Sequence, residues 1–460
     1  MKNTKSLKTM ISKLQKLIIS FLLTLVFTFV VLEISHSNDN VKKDFYNLNY
    51  KNQIELKNYL RNHEIQLAYI IPELKTAQIV ATNKEAISIS KRRSLINYIN
   101  KASTTNNNNP ELPDKTVSRL NQWDMKQLLG NNRKSFKNFK NNAKIGIIDT
   151  GVEEDHPDIK KIGIKRNLVP RNGYRNTDKQ ENGLKNQISD VVNHGTAVTG
   201  QISANNDTFG ILPNSKPNIY RVFDSKNSDI LWLANGIVKA ADDDNDVINI
   251  SIGSYIINNM DNKDVFRKDE KVEFDALQNA INYAYKKGTI VVAANGNNSV
   301  NLNNIEQLNK QRNIINKNKR LVYDVPAMLD NVVSVGSVDK NNELSSFSNY
   351  GKGYTDIVSV GGSTKSFNKY GKKKWAIYNL SKNEDIVTLN NTGGYDYKVG
   401  NSIASPKVTS AIALIIDKYD LYKQPDKTLE ILYKNGTKIP HNSNSNQYDN
   451  GILDMDFLLN

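Results

Sequence analysis

The 460-residue chain has no cysteine. Thiol nucleophiles, disulfides and thiolate metal sites are therefore excluded. Histidine is scarce: His36, His63, His156, His194 and His441 are the five in the chain, so few side chains can act as a base near neutral pH. No His-Glu-x-x-His run and no Cys/His ligand spacing occurs, which removes the common metalloprotease route. There is no basic helix or aromatic-basic repeat of the kind that grips nucleic acid, and no internal repeat. Beyond residue 32 no apolar stretch is long enough to span a bilayer.

What is there begins with an export signal. Lys2, Lys5, Lys8, Lys13 and Lys16 precede the uncharged run Leu17–Leu32, and Ser35-His36-Ser37 offers small residues for cleavage after Ser37. Residues 1–37 are expected to be a signal peptide and the protein to be secreted, with no stable membrane association after cleavage. The alternative is an uncleaved N-terminal membrane anchor, because the run is near the lower length limit for spanning. Of the net charge of +15, residues 1–37 carry +4 and residues 38–112 another +4, leaving +7 for residues 113–460. A mildly basic enzyme attracts an acidic peptide at low salt. A solvated lysine-rich surface explains the same charge.

The length suggests two to three domains. Residues 38–112 read as a separate unit. Ile65–Ile71 and Thr76–Ala81 are strand-like and joined by the hairpin-length Pro72-Glu-Leu-Lys75. The polar, asparagine-rich stretch Ala102–Pro110 cannot bury a core and reads as a linker open to proteolysis. A small folded unit between a signal and a larger domain suggests a prosegment. From about Leu120 onward, short β-branched runs (Lys144–Ile148, Val247–Ile252, Thr289–Ala294 and Val332–Val335) alternate with helical patterns. Val272–Lys287 is one such helix, with Gly288 as its stop, and Val408, Ala411, Ile412 and Ile415 trace another. Alternation of this kind implies an α/β, doubly wound sheet whose sites lie beyond the carboxyl ends of its strands.

Three segments at the ends of such runs carry chemistry: Ile145-Gly-Ile-Ile-Asp149-Thr-Gly151, Asn193-His194-Gly-Thr-Ala-Val198 and Gly400-Asn-Ser402-Ile-Ala-Ser-Pro406. An acid, an imidazole and a hydroxyl in the order Asp, His, Ser form one of the known orders of a catalytic triad. Ser402 is expected just before a helix, with Pro406 in its first turn, where the helix dipole favours developing negative charge. A plain N-cap serine explains Gly-Asn-Ser alone, but not the longer Gly-x-Ser-x-Ala-x-Pro-x-Val. His194 is expected to open a short helix. His156, beside Pro157, reads as part of a tight turn. An aspartic protease would need a second carboxylate motif, and the chain has one Asp-Thr-Gly and no Asp-Ser-Gly. Ala293-Ala-Asn-Gly-Asn297 follows a strand and offers an oxyanion donor in Asn297; a plain Asn-Gly turn is the alternative. The edge Ser251, Ile252 and Gly253 is expected to bind an extended peptide by strand addition.

These motifs together resemble the subtilase (subtilisin-like) serine peptidases from about Leu120 to the C-terminus. The whole chain is similar to the lantibiotic leader-processing peptidases of the epidermin leader peptidase type. Gln122-Trp-Asp-Met125, Tyr220-Arg-Val-Phe223, Ser251-Ile-Gly-Ser-Tyr-Ile-Ile257 and Phe266-Arg-Lys-Asp-Glu-Lys271 carry that second likeness. The resemblance implies a subtilisin-like three-layer αβα fold with a mainly parallel sheet at 113–460, preceded by a small α+β prosegment at 38–112. It implies a secreted zymogen whose partners are its own prosegment and a thioether-modified precursor peptide, cut often after a basic residue. The chain departs from the family at Asn401 (Thr), Ile403 (Met), Ala197 (His) and Ser359-Val-Gly361 (Ala-Pro-Gly). The chemistry needs no cofactor. Asp158 matches a structural calcium ligand, although the partner loop is reduced to Asn205–Gly210. A general secreted protease of the same mechanism and a degenerate subtilase acting as a binding module remain as alternatives. Casein hydrolysis and serine-directed labelling separate them.

Overall fold

In the larger part of the chain the apolar runs bury side chains on both faces of one sheet. Ile145 and Ile147 point to one core and Ile148 to the other; Val247 opposes Ile248 and Ile250, and Ile290 and Val292 oppose Val291 and Ala293. Successive side chains of a strand leave on opposite faces, so both faces must be covered by helices. The computed structural model describes residues 42–103, 120–130, 139, 141–259, 263–314, 320–439 and 446–459. The expected signal peptide, residues 104–110 of the linker and the boundary at 112 lie outside the described residues.

In chain order the strands are β1 (Lys43–Tyr50), β2 (Gln66–Ile71), β3 (Thr76–Thr82), β4 (Ile96–Lys101), β5 (Ile145–Asp149), β6 (Lys165–Asn167), β7 (Asn218–Arg221), β8 (Val247–Ile250) and β9 (Ser254–Ile257). They continue with β10 (Phe266–Arg267), β11 (Ile290–Ala294), β12 (Val322–Val325), β13 (Val332–Val338), β14 (Ile357–Val360), β15 (Ile386–Leu389), β16 (Tyr395–Lys398), β17 (Thr437–Lys438) and β18 (Ile452–Leu453). The main sheet has the order β17-β18-β14-β13-β11-β8-β5-β7-β6 and is parallel except at β17–β18. The helices Asn401–Tyr419 and Gly195–Ser203 cover one face, and Ile230–Asp242 and Lys271–Lys286 the other. This is the expected three-layer α/β fold. Gly288 ends the last of these helices at φ +75°, and a Cβ there would meet Lys423 Cα at 2.7 Å.

The first part of the chain forms a second sheet, β10-β4-β1-β3-β2, with its own apolar core around Leu48, Leu56, Ile79 and Ile99. The expected β2–β3 hairpin is present, and β1 lies between β3 and β4. The edge strand β10 comes from the larger part and pairs in parallel with β4. The two parts also meet through carboxylates at helix N-termini. Glu273, in the first turn of Lys271–Lys286, is fully buried and accepts from Asn47 (2.8 Å), Asn100 (2.8 Å) and the Ser103 N–H (3.0 Å). Asp229, the cap of Ile230–Asp242, accepts from Gln78 at 3.0 Å. Negative charge at a helix N-terminus is favourable, and here each carboxylate also takes donors from the N-terminal unit.

Candidate active site

β5 ends on Asp149, and the loop before the Gly195–Ser203 helix brings His194 back to it. Asp149 Oδ1 accepts the Thr150 N–H at 2.8 Å and lies 2.7 Å from His194 Nδ1; Oδ2 is buried without a partner. A carboxylate at Nδ1 fixes the tautomer with its lone pair on Nε2. His194 Nε2 has no hydrogen-bond partner among the described residues and lines the same cleft as Ser402. Burial works against the imidazolium, but the charge of Asp149 and its hydrogen bond outweigh it, so the His194 pKa is raised. Asp190, which sequence reasoning missed, sets this loop. Its oxygens accept from Thr150 Oγ1 (2.8 Å), the N–H groups of Val192 (3.1 Å), Asn193 (2.9 Å) and Thr196 (2.8 Å), and Thr196 Oγ1 (2.7 Å).

Ser402 is the second residue of the Asn401–Tyr419 helix. It does not precede the helix, and Pro406 sits beyond the first turn, inside the helix, a correction with a consequence for Ser251. Proline has no N–H to give to the carbonyl four residues back, which is that of Ser402. Ser251 Oγ donates to that carbonyl instead, at 2.9 Å, and also meets Ser405 Oγ at 2.8 Å. The Ser251 hydroxyl is therefore spent on the serine helix, which leaves the expected strand-addition edge at Ser251, Ile252 and Gly253 to its backbone. β8 ends at Ile250, and the segment 251–253 continues along the cleft wall.

Asn297 also approaches the helix start. Its Oδ1 accepts the Asn401 N–H at 2.9 Å, so its Nδ2 is left to donate elsewhere. A Cβ built on Gly400 (φ +153°) would stand 3.4 Å from that Nδ2 and 3.0 Å from Ser402 Oγ. Glycine keeps this corner open. The Ser402 N–H lies in the first helical turn, where N–H groups have no intrahelical partner. Asn295 is turned away: its Nδ2 donates to Thr355 Oγ1 at 2.8 Å and its side chain is buried. Asn401, fully buried, is a staple. It donates to Gly296 O (2.8 Å) and Asn295 O (3.1 Å) and accepts from Ser348 Oγ (3.0 Å), tying the serine helix to the Asn295–Asn297 turn.

The cleft holds about 920 Å³ between the segments 251–255 and 294–299, with His194 and Ser402 among its lining residues. Asp324, which no motif or spacing in the sequence marks, is the one carboxylate among the described residues that line it.

Two expectations near His194 resolve differently. His156 is a structural histidine: Nε2 lies 2.8 Å from Gly394 O and Nδ1 accepts the Asp158 N–H at 3.0 Å. The expectation of a calcium ligand at Asp158 does not survive the geometry. Its oxygens accept from the N–H groups of Asp207 (3.2 Å) and Thr208 (2.7 Å), from Thr208 Oγ1, and from the Tyr395 hydroxyl (3.1 Å). Calcium takes oxygen lone pairs, and here donors already occupy both oxygens. Burial pushes the Asp158 pKa up, but these hydrogen bonds win and hold it below the ordinary aspartate value.

The sequence profile of the Subtilase family matches residues 140–451. Over 456 residues the chain is 41% identical to the epidermin leader peptide-processing serine protease EpiP of Staphylococcus epidermidis, covering 95% of this chain and 98% of that one. It is 39% identical over 329 residues to the nisin leader peptide-processing serine protease NisP of Lactococcus lactis, covering 70% of this chain and 47% of the relative. A crystal structure of a serine-to-alanine mutant of EpiP from Staphylococcus aureus superposes with a TM-score of 0.87 at 43% identity, covering 91% of this chain and 99% of that one.

Proposed function

Because this chain belongs to the subtilase family and is a serine protease, we propose that it is a secreted endopeptidase that removes the leader from a lantibiotic precursor. Ser402 Oγ attacks the scissile carbonyl while His194 Nε2 takes its proton. Asp149 holds the imidazole and stabilises the imidazolium. The oxyanion sits between Asn297 Nδ2 and the Ser402 N–H, at the positive end of the serine helix. His194 then protonates the leaving amine, and water hydrolyses the acyl-enzyme by the same base. The catalytic reading is carried by the 2.7 Å Asp149–His194 contact on the wall of the cleft that also holds Ser402. The substrate reading is supported by the end-to-end likeness to a leader-processing protease.

Residues 38–112 act as a prosegment. The described part docks on the larger part by the β4–β10 pairing and by the donors it gives to Glu273 and Asp229. Its last described residue, Ser103, is held through its carbonyl by Tyr174 (3.2 Å) and Arg175 (2.8 Å), and the linker follows it. N-terminal sequencing of the secreted protein is expected to start downstream of this unit; an active enzyme that begins at Asn38 overturns the assignment. The substrate is tested by incubating the secreted enzyme with a thioether-modified precursor and with casein at matched concentration. Mass spectrometry is expected to find one cut at the leader boundary, and comparable hydrolysis of casein favours a general protease.

A further inference from the structure

The helix Lys365–Ile377 stands on the rim of the cleft, where Thr364, Phe367, Asn368 and Lys372 are among the lining residues. It reads Lys-Ser-Phe-Asn-Lys-Tyr-Gly-Lys-Lys-Lys-Trp-Ala-Ile, with five lysines and no acid. The chain therefore does have a basic helix, which the sequence reading did not mark. The helix is broken at Gly371, where φ is +72°, and a Cβ built there would meet nothing within 4 Å. The break is an open crest, not a packed corner.

The inner side of this element is held to the fold. Phe367 meets Trp375 edge-on with ring centroids 5.5 Å apart, and Trp375 is buried. Glu384 accepts the Ser366 N–H at 3.1 Å and the Ser366 hydroxyl at 2.8 Å. Lys365 is spent on Asp339, at 2.7 Å, and on Glu343. The outer side is different. Lys369, Lys372, Lys373 and Lys374 are exposed and make no ion pair among the described residues. Lys373 and Ile377 stand two residues either side of Trp375, which at about 100° per residue sets both on the face opposite its buried ring. Tyr370 is 44% exposed, Ile377 66% and Tyr378, which caps the helix, 65%.

Isoleucine and tyrosine raised on a lysine-dense crest gain nothing from water. A soluble polyanion takes the lysines and leaves Ile377 wet. An anionic bilayer takes both, because apolar tips enter the boundary of headgroups and acyl chains while lysine stems lie beside them and the ammonium groups reach lipid phosphates. We propose that the crest 369–378 seats the enzyme reversibly on an anionic phospholipid bilayer, with Ile377 and Tyr378 entering the headgroup region. The seating is peripheral. No described helix is long and apolar enough to cross a membrane, and the contact differs from the stable anchoring that an uncleaved N-terminal run gives. Because the same helix lines the cleft, seating it brings the cleft rim to the lipid surface.

The test is co-sedimentation of the secreted enzyme with vesicles of about 30% phosphatidylglycerol in phosphatidylcholine, and of phosphatidylcholine alone, at about 50 and about 500 mM salt. Partition onto the anionic vesicles at low salt is expected to exceed that in every other condition by at least about tenfold. Lys369→Gln, Lys373→Gln and Lys374→Gln together should lower it by about 10²-fold, at about fivefold per lysine near the surface. Ile377→Ser should lower it by about tenfold and leave its salt dependence as it was, since apolar burial is not screened. None of these four side chains lines the cleft, so kcat/KM on a short soluble peptide should stay within about twofold of wild type. Melting temperature confirms that the variants are folded. Equal binding to both kinds of vesicle, whatever the salt, overturns the proposal and marks an uncleaved N-terminal run. Binding that survives the three glutamines overturns it too. An Ile377→Ser variant that binds as wild type does, with heparin displacing both, overturns it in favour of a soluble polyanion. Vesicle binding by an enzyme that cleaves no peptide would sink the peptidase reading and leave this one standing.

Discussion

Asp149 and Asp158 are both fully buried and flank the same turn after β5. One shares a single oxygen between a backbone N–H and an imidazole and keeps the other unpartnered; the other is enclosed by donors on both oxygens. On the proposed mechanism, the difference separates a carboxylate that serves the reaction from one that holds a loop. An unsatisfied buried acceptor costs on the order of 1–3 kcal/mol, so a fold retains one only where something else depends on it. A saturated carboxylate returns that free energy as local order. Asp324 lies between the two, with one oxygen spent and one open to the cleft.

The contrast is sharpest at the nucleophile. Ser402→Ala should lower kcat by on the order of 10⁶-fold, the loss measured in a subtilisin, and His194→Ala by nearly as much, since triad members act as a unit. The folded protein should persist, because neither side chain carries core packing. Purified protein assayed with a fluorogenic peptide, beside its far-ultraviolet circular dichroism, checks both parts. Next comes Asn297→Ala, expected to cost about 10²–10³-fold in kcat with little change in KM. Asn295→Ala should lower the melting temperature rather than kcat, because Asn295 bonds to Thr355 inside the fold.

The raised His194 pKa gives a third handle. Catalysis needs the neutral imidazole, so the acid limb of kcat/KM should lie above 6.5, the ordinary histidine value. Asp149→Asn removes the raising influence and leaves burial, which lowers the pKa, so any residual activity should show its limb at lower pH. For stability the sign is reversed. A raised folded-state value stabilises the protein below the unfolded histidine pKa, and that contribution is lost as pH rises through the folded one. A limb that stays in place in Asp149→Asn contradicts the assignment of Asp149.

The smallest effects belong to the saturated side of the comparison. A chelator should leave the melting temperature within about 1 °C, because Asp158 is closed by protein donors; a fall of several degrees would place a calcium ion in the native protein. Ser251→Ala should reduce kcat by only a few-fold, through the Ser402 carbonyl left without its donor.

The grouping of Asp149, His194 and Ser402 and the parallel sheet were legible because both rest on local chemistry: β-branched runs buried on two faces, and motifs that close each run with glycine. The N-terminal unit was only half legible. Asn47, Gln78 and Asn100 belong to no motif, yet they are buried against Glu273 and Asp229. Polar patterning does not distinguish water from a docked carboxylate. Asp190 and Asp324 were missed for a related reason. Asp324 bonds to Gly296 and Asn349, far away in sequence, whereas Asp190 bonds mostly within its own loop, to Val192, Asn193 and Thr196; neither sits in a run whose spacing marks it. The role of the Ser251 hydroxyl was not legible, because its acceptor is the carbonyl that Pro406 leaves without an N–H, far along the chain.

The most direct test of the account sets Asp149→Asn against Asp158→Asn in one pair of assays, kcat on a fluorogenic peptide and thermal melting. Asp149→Asn should lose about 10⁴-fold in kcat, as the equivalent change does in an unrelated triad, with its melting temperature within a few degrees of wild type. Asp158→Asn should keep wild-type kcat and lose roughly 1–3 kcal/mol of stability, since a donor replaces an acceptor that donors surround. An Asp158→Asn variant that is inactive but fully stable, beside an Asp149→Asn variant that still turns over at the wild-type rate, would contradict it.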